Sequence, residues 1–124
     1  MALGKIKADT LEHSTVGTVD TQYVVNGSAK ARHASSADGA TLYGSFNVSS
    51  LGDTATGKET ITFTNAMSDL NYSAVSGSGS QANGSARMML IDSLATTSYQ
   101  VHAYNNSNAL ADSSSSSTVH GDLA

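Results

Sequence analysis

The chain has no cysteine, no proline and no tryptophan, only two phenylalanines, and only six lysines and arginines. Each shortage excludes something. Without cysteine there are no disulfide staples and no thiolate metal sites, so stability has to come from packing and assembly. Scattered basic residues in a chain of net charge −4 form no stripe that would neutralise phosphates, which argues against nucleic acid as a partner. No apolar run approaches the roughly 20 residues of a membrane-spanning helix. The opening M-A-L-G-K-I-K lacks the apolar middle of a signal peptide, so the expectation is a soluble chain made in the cytoplasm, with no membrane contact. Asn-x-Ser sequons such as Asn26-Gly27-Ser28 then reflect composition rather than glycosylation.

What is present is mostly small. Ser, Thr, Ala, Gly and Asn dominate the 124 residues, and charged residues make up 13%, about half of the usual share of roughly 25%. The length suits one domain with a core of its own. That core should be thin, and a thin core under a surface of hydroxyls and amides suits a β-protein that buries further area against copies of itself.

The clearest stretch runs from Leu42 to Met67. Leu42, Phe46 and Val48 alternate with Tyr43, Ser45 and Asn47, and Ile61 and Phe63 alternate with Thr60, Thr62 and Thr64. This period of two predicts strand, turn and strand, with the apolar set on a buried face. Ahead of it, residues 1–20 have no clean period and read as an extended docking arm, with Asp9 or Thr10 able to cap one helical turn through Glu12. Thr21 to Val25 reads as a short strand closed by the turn-forming Asn26-Gly27. Lys30 to Gly39 reads as a polar loop. Further on, Asn71 to Ser76 predicts a strand, Gly77 to Ser85 a long loop, and Ala86 to Asp92 a buried strand. Ser98 to Asn105 predicts a strand paired with the preceding one, its inward set being Tyr99, Val101 and Ala103. A turn over Asn105 to Ala109, a serine run and a short last strand at Thr118 to His120 complete the series. Many short strands between turn signals predict an all-β fold, an antiparallel β-sandwich or jelly-roll-like subunit over residues 21–124 behind the arm.

The phrases S-F-N-V-S-S, T-I-T-F-T-N-A-M-S-D-L-N-Y-S-A-V, Y-Q-V-H-A-Y-N-N-S-N-A-L-A-D-S and the final H-G-D-L-A resemble modules of tail-fibre and other virion structural proteins of tailed bacteriophages, many from marine hosts. The lead-in T-Q-Y-V-V-N-G-S-A-K-A is similar too. The likeness runs from about Thr21 to the end. It differs at Arg32-His33-Ala34-Ser35-Ser36, polar where those modules are aromatic-rich, and at His120, where an aromatic is expected. The resemblance implies a virion protein that assembles as a homotrimer or another ring; the arm, residues 1–20, is then expected to contact other virion proteins, and a host-surface glycan is the further partner expected. It implies neither a catalytic residue nor a cofactor. A capsid decoration or head-fibre protein is the alternative, and a free carbohydrate-binding module is a third reading.

The motifs that could carry chemistry are weak. Gly52 to Lys58 has phosphate-loop spacing, but Glu59 replaces the Mg²⁺-binding hydroxyl and a β-branched strand follows where a helix must open, so a tight turn is expected. His13, His33, His102 and His120 lack metal-ligand spacing and read as scattered surface residues, with His120 the first candidate for an axial metal in a trimer. Abundant serines make a chance Ser/His/Asp trio inevitable, and no G-x-S-x-G elbow accompanies them. Glu12 and Glu59 are the only glutamates, which disfavours paired-carboxylate sugar cleavage. The expectation is therefore a protein that is not an enzyme. Of the tyrosines, Tyr43 and Tyr104 lie out of phase with the inward sets and are the most available for contact. Gly77, Ser78, Gln81 and Asn83 of the long loop, and Asn105, Asn106 and Asn108 of the following turn, complete the candidate contact surface.

Overall fold

The structure, a computed structural model, describes residues 7–78 and 87–124. It is a two-layer antiparallel β-sandwich behind a small N-terminal unit. That unit is a hairpin of β1 (Thr10–His13) and β2 (Gly17–Asp20), followed by helix α1 (Thr21–Gly27). The front sheet has the order β4 (Leu42–Phe46), β3 (Ala31–Ser35), β10 (Ser115–His120), β7 (Ser73–Ser78). The back sheet has the order β5 (Val48–Ala55), β6 (Lys58–Phe63), β9 (Ser98–Tyr104), β8 (Met88–Ala95).

The expected all-β sandwich is present, and several of its elements differ from their sequence reading. The stretch from Leu42 to Val48 is not one strand. Asn47 takes φ +53°, a left-handed conformation that asparagine tolerates. Its amide brackets Asn65, accepting from the backbone N–H at 2.7 Å and donating to the carbonyl at 3.1 Å. The chain turns there from front sheet to back sheet, which sends Phe46 outward opposite Arg32, 55% exposed, rather than into the core. The hairpin that does form is β5–β6, closed at Thr56-Gly57. Gly57 has φ +69°, and a Cβ there would sit 2.6 Å from the Ala111 nitrogen and 2.8 Å from the Ala103 carbonyl oxygen. Only glycine fits.

Residues 10–20 form a hairpin rather than a helical turn or a plain extended arm, and residues 21–27 form a helix where alternation suggested a strand. Thr21 ties the junction: its N–H donates to the Asp9 carbonyl at 2.8 Å and its hydroxyl to the Ala8 carbonyl at 2.7 Å. This fixes the chain direction at the helix start, and local tertiary context overrides the β preference of Tyr23-Val24-Val25. Lys30 to Gly39 is not a loop either, since its first half is β3, a central strand. Its inward residues Ala31, His33 and Ser35 are small or polar, so no hydrophobic alternation announces it. Beyond Asn71, strand β7 starts at Ser73 and takes in Gly77 and Ser78, while the rest of the expected long loop lies outside the described residues. Strand β10 begins at Ser115, inside the serine run.

The core lies between the sheets. Ile61, Phe63, Met67, Tyr72, Tyr99, Val101 and Val119 are all buried, and each large apolar side chain fully removed from water is worth about 1.5–3 kcal/mol. Phe63 packs edge-on against Tyr72 and tilted against Tyr99, with ring centroids 5.8 and 5.5 Å apart. The expected inward set of β9 is as read: Tyr99, Val101 and Ala103 are 0, 2 and 4% exposed.

Candidate functional site

The strand registers sort the sandwich into two poles. Ser115 pairs with Ser78, Met88 with Tyr104 and Ser35 with Leu42, and Glu59 at the start of β6 reaches both Ser35 and Ser115 across the sheets. The ends of β3, β7 and β9 and the starts of β4, β6, β8 and β10 therefore share one pole, the loop pole. The opposite pole holds Ala31, the Met67–Leu123 bridge and the Tyr72 hydroxyl on the Ala95 and Ser98 carbonyls. The N-terminal unit joins there, through Lys30, whose N–H donates to the Val119 carbonyl at 2.7 Å.

The candidate contact residues that are described gather toward the loop pole. Gly77 and Ser78 end β7, Tyr43 stands 58% exposed near the start of β4, and Tyr104 ends β9, half-buried and bridged to Leu110. Asn105 organises the next turn: its side-chain oxygen accepts from the Ser107 and Ala109 N–H groups at 2.9 and 3.0 Å, and Asn108 takes φ +56°. Asn106 is exposed on that turn. Gln81 and Asn83 lie outside the described residues.

Beneath this pole lies a buried polar network that sequence reasoning missed. Ser35 and Ser115 donate to the Glu59 carboxylate at 2.9 and 2.8 Å. Ser115 also meets His33 Nε2 at 2.8 Å, while His33 Nδ1 faces Ser117 Oγ at 2.7 Å and the Tyr99 hydroxyl at 3.1 Å. Tyr99 and Ser117 close the triangle with a hydrogen bond of their own. With Ser115 donating to Glu59, its lone pair accepts from Nε2–H, which assigns the proton of neutral His33 to Nε2 and makes Nδ1 the acceptor. Burial drives the pKa values. His33, 2% exposed, is lowered to about 4 by desolvation. The Glu59 carboxyl is raised, mainly by desolvation and further by Asp53 and Asp112, against the lowering effect of its two serine donors. The Tyr99 phenol is pushed up to about 12, again by burial.

His33, Ser115 and Glu59 do not make a catalytic triad. In a triad the carboxylate orients the imidazole and the imidazole faces the nucleophile. Here the carboxylate accepts from Ser115 itself, and the far imidazole nitrogen faces Ser117 and Tyr99. The cavity at Glu59, lined also by Asp38, Asp53, Asp112 and Lys58, measures about 10 Å³. That is about the volume one water needs.

The histidines correct another expectation. His33 and His102 are buried, 2 and 6% exposed, because strand pairing covers them and side chains satisfy them; His102 meets Gln100 at 3.1 Å and Asp92 at 3.5 Å. His13 is exposed beside Thr15, and His120 ends β10. Among the described residues no three His, Cys, Asp or Glu side chains converge to hold a metal ion. The phosphate-loop lookalike is the β5–β6 turn, with the Gly57 N–H held by Asp112 at 2.7 Å and a strand following. Among the described residues no helix is long and apolar enough to cross a membrane. No family model matches the chain, and neither a curated protein nor a solved structure matches it.

Proposed function

We propose that the chain is a structural module of a bacteriophage virion, of the homotrimeric tail-fibre type, which joins its assembly at the arm pole and offers the loop pole outward to a host-surface glycan. The observation that carries this reading is the division of the molecule into poles. The exposed loops and Tyr43 stand at one pole, and at the other stands a unit in which no residue from 7 to 28 is buried. A unit without buried residues gains little from its own chain and needs a partner to hold it. The resemblance of the strand phrases to tail-fibre modules supports the virion class, and the small-residue surface supports close packing of copies. In this reading the module works by shared burial, not by chemistry.

Two measurements test it. The mass of the purified chain in solution should be that of a trimer, and a monomer at micromolar concentration overturns the assembly. Imaging of phage particles labelled with an antibody to the chain should place it on the tail. Label on capsomer centres moves it to the head as a decoration protein, and unlabelled particles overturn the virion assignment.

A further inference from the structure

Of the fourteen exposed large apolar side chains among the described residues, six lie in the N-terminal unit: Leu11, Val16, Val19, Tyr23, Val24 and Val25. Leu11 and Val19 are cross-strand partners, and Leu11, Val24 and Val25 line one hollow between hairpin and helix. A second uncovered surface crosses the outer face of the front sheet. There the row Phe46, Arg32, Thr118, Val75 runs across all four strands, with Phe46 and Val75 more than half exposed. Beside it the row Gly44, Ala34, Ser116, Gly77 has almost no side-chain bulk, and over β3, β10 and β7 the two rows leave a shallow groove of about 440 Å³ between Arg32 and Val75.

We infer that the N-terminal unit, residues 7–27, docks in this groove on a second copy of the chain, an inference that rests on the assembly reading above and names its contact. Three features fit the two surfaces to each other. The first is charge. Residues 7–27 carry Lys7 against Asp9, Glu12 and Asp20, a net charge of −2, while among the described residues Arg32 is the one charged side chain lining the groove. Opposite charge on two apolar surfaces fixes their register. The second is size. A hairpin is two strands about 5 Å apart, and the three strands that line the groove, β3, β10 and β7, span about 10 Å, so the hairpin fits across them. The third is the root of the unit. Only Ser28 and Ala29 separate α1 from Lys30, and the Lys30 ammonium donates to the Val25 and Ser28 carbonyls and to the Ser28 hydroxyl. A cation on the carbonyls at the helix end locks the short connection, and none of the unit's residues lines the groove of its own sheet. A short, locked hinge between a protruding element and an open acceptor is the arrangement that exchanges elements between copies. Because donor and acceptor surfaces differ, the contact is head-to-tail and closes into a ring when the rotation allows.

The absence of cysteine makes a direct test simple. Val24→Cys and Val75→Cys are made as separate full-length chains, one with a mass tag, mixed, and mildly oxidised. The expected result is a tagged–untagged covalent dimer that forms at least ten-fold faster than with Val24→Cys and Leu90→Cys, whose second site lies on the back sheet. Arg32→Glu should raise the dissociation constant of the assembly about ten-fold without changing the circular dichroism, and Glu12→Lys with Arg32→Glu should restore part of it. If the double variant Val24→Cys/Val75→Cys bridges only within one chain, the unit covers its own sheet and the inference falls. If the chain is oligomeric but no bridge forms between copies, the docking site falls and the assembly reading stands. If the chain is monomeric, both fall.

Discussion

The two ends of the space between the sheets are filled by opposite chemistry. At the arm pole Ile61, Phe63, Met67, Tyr72 and Val119 pack as an apolar core, while at the loop pole the same two sheets enclose Glu59, Ser35, Ser115, His33 and Ser117. Tyr99 spans both, its ring against Phe63 and its hydroxyl in the network. The two fillings resist different insults. An apolar core is non-directional and tolerates pH, whereas a buried polar network stabilises only while every member is paired and its charge state is kept. The apolar end should therefore set the size of the folding free energy, and the polar end its pH dependence and its specificity of strand pairing.

The largest break in this contrast is at the apolar end. Phe63→Ala, at a side chain 5% exposed, removes contacts to both Tyr72 and Tyr99 and should cost about 3–5 kcal/mol. Urea unfolding would measure it, and a loss below about 1 kcal/mol would mean that the polar end carries the stability. Next comes pH. The folded His33 pKa of about 4 lies below its ordinary 6.5, so between these values the unfolded chain binds more protons than the folded one. Stability should then be fully present above about pH 6.5 and fall, by on the order of 3 kcal/mol, as pH drops through 4. Denaturation midpoints across that window test this, and His33→Gln should flatten the slope. An equal slope in the variant would assign the acid sensitivity to other groups.

Tyr99→Phe separates the two fillings within one side chain. The ring stays against Phe63, while Ser117 and His33 lose a hydroxyl partner, so the expected cost is about 1–2 kcal/mol at pH 7. Measured at pH 4 as well, the variant should have an altered acid limb, because the hydroxyl helps hold Nδ1. An unchanged limb would place the Tyr99 contribution in packing alone.

The same division explains what could be read in the sequence. Apolar alternation revealed β6 and β9, because Ile61, Phe63 and Tyr99 lie in the apolar core and Val101 and Ala103 carry the inward alternation on to the side of Glu59. It was silent about β3 and the first half of β10, because their inward residues are Ala31, His33, Ser35, Ser115 and Ser117, and a polar residue at an inward position looks like loop. One signal was available: His33 and Ser35, and likewise Ser115 and Ser117, repeat at i, i+2, as Ile61 and Phe63 do. Glu59 shows the same limit. It stands two residues before Ile61 and in phase with it, so its inward direction was implied by the period, but its serine partners are 24 and 56 residues away and no local pattern announces them. The corner at Asn47 and the helix at α1 were hidden for another reason, since each depends on hydrogen bonds to distant residues, Asn65 in one case and Ala8 and Asp9 in the other.

The smallest effect is the sharpest probe of the polar end. Glu59 is buried, and its carboxyl is raised by desolvation, with Asp53 and Asp112 adding to the rise, despite two serine donors. A raised folded value means that the protonated form is favoured in the fold, so the contribution of Glu59 is fully present below the ordinary value of 4.5 and is lost as pH rises through the folded one. This slope opposes that of His33. Glu59→Gln keeps the shape and an oxygen that accepts from Ser35 and Ser115, so near pH 4 it should change stability by no more than about 1 kcal/mol. As pH rises above the ordinary value of 4.5 the wild-type protein loses the contribution of its raised carboxyl and the variant has none to lose, so the balance should move toward the variant as pH rises to 8. If the balance instead moves toward the wild type, the serine donors outweigh desolvation, and Glu59 is a stabilising buried anion rather than a carboxyl that the fold prefers neutral.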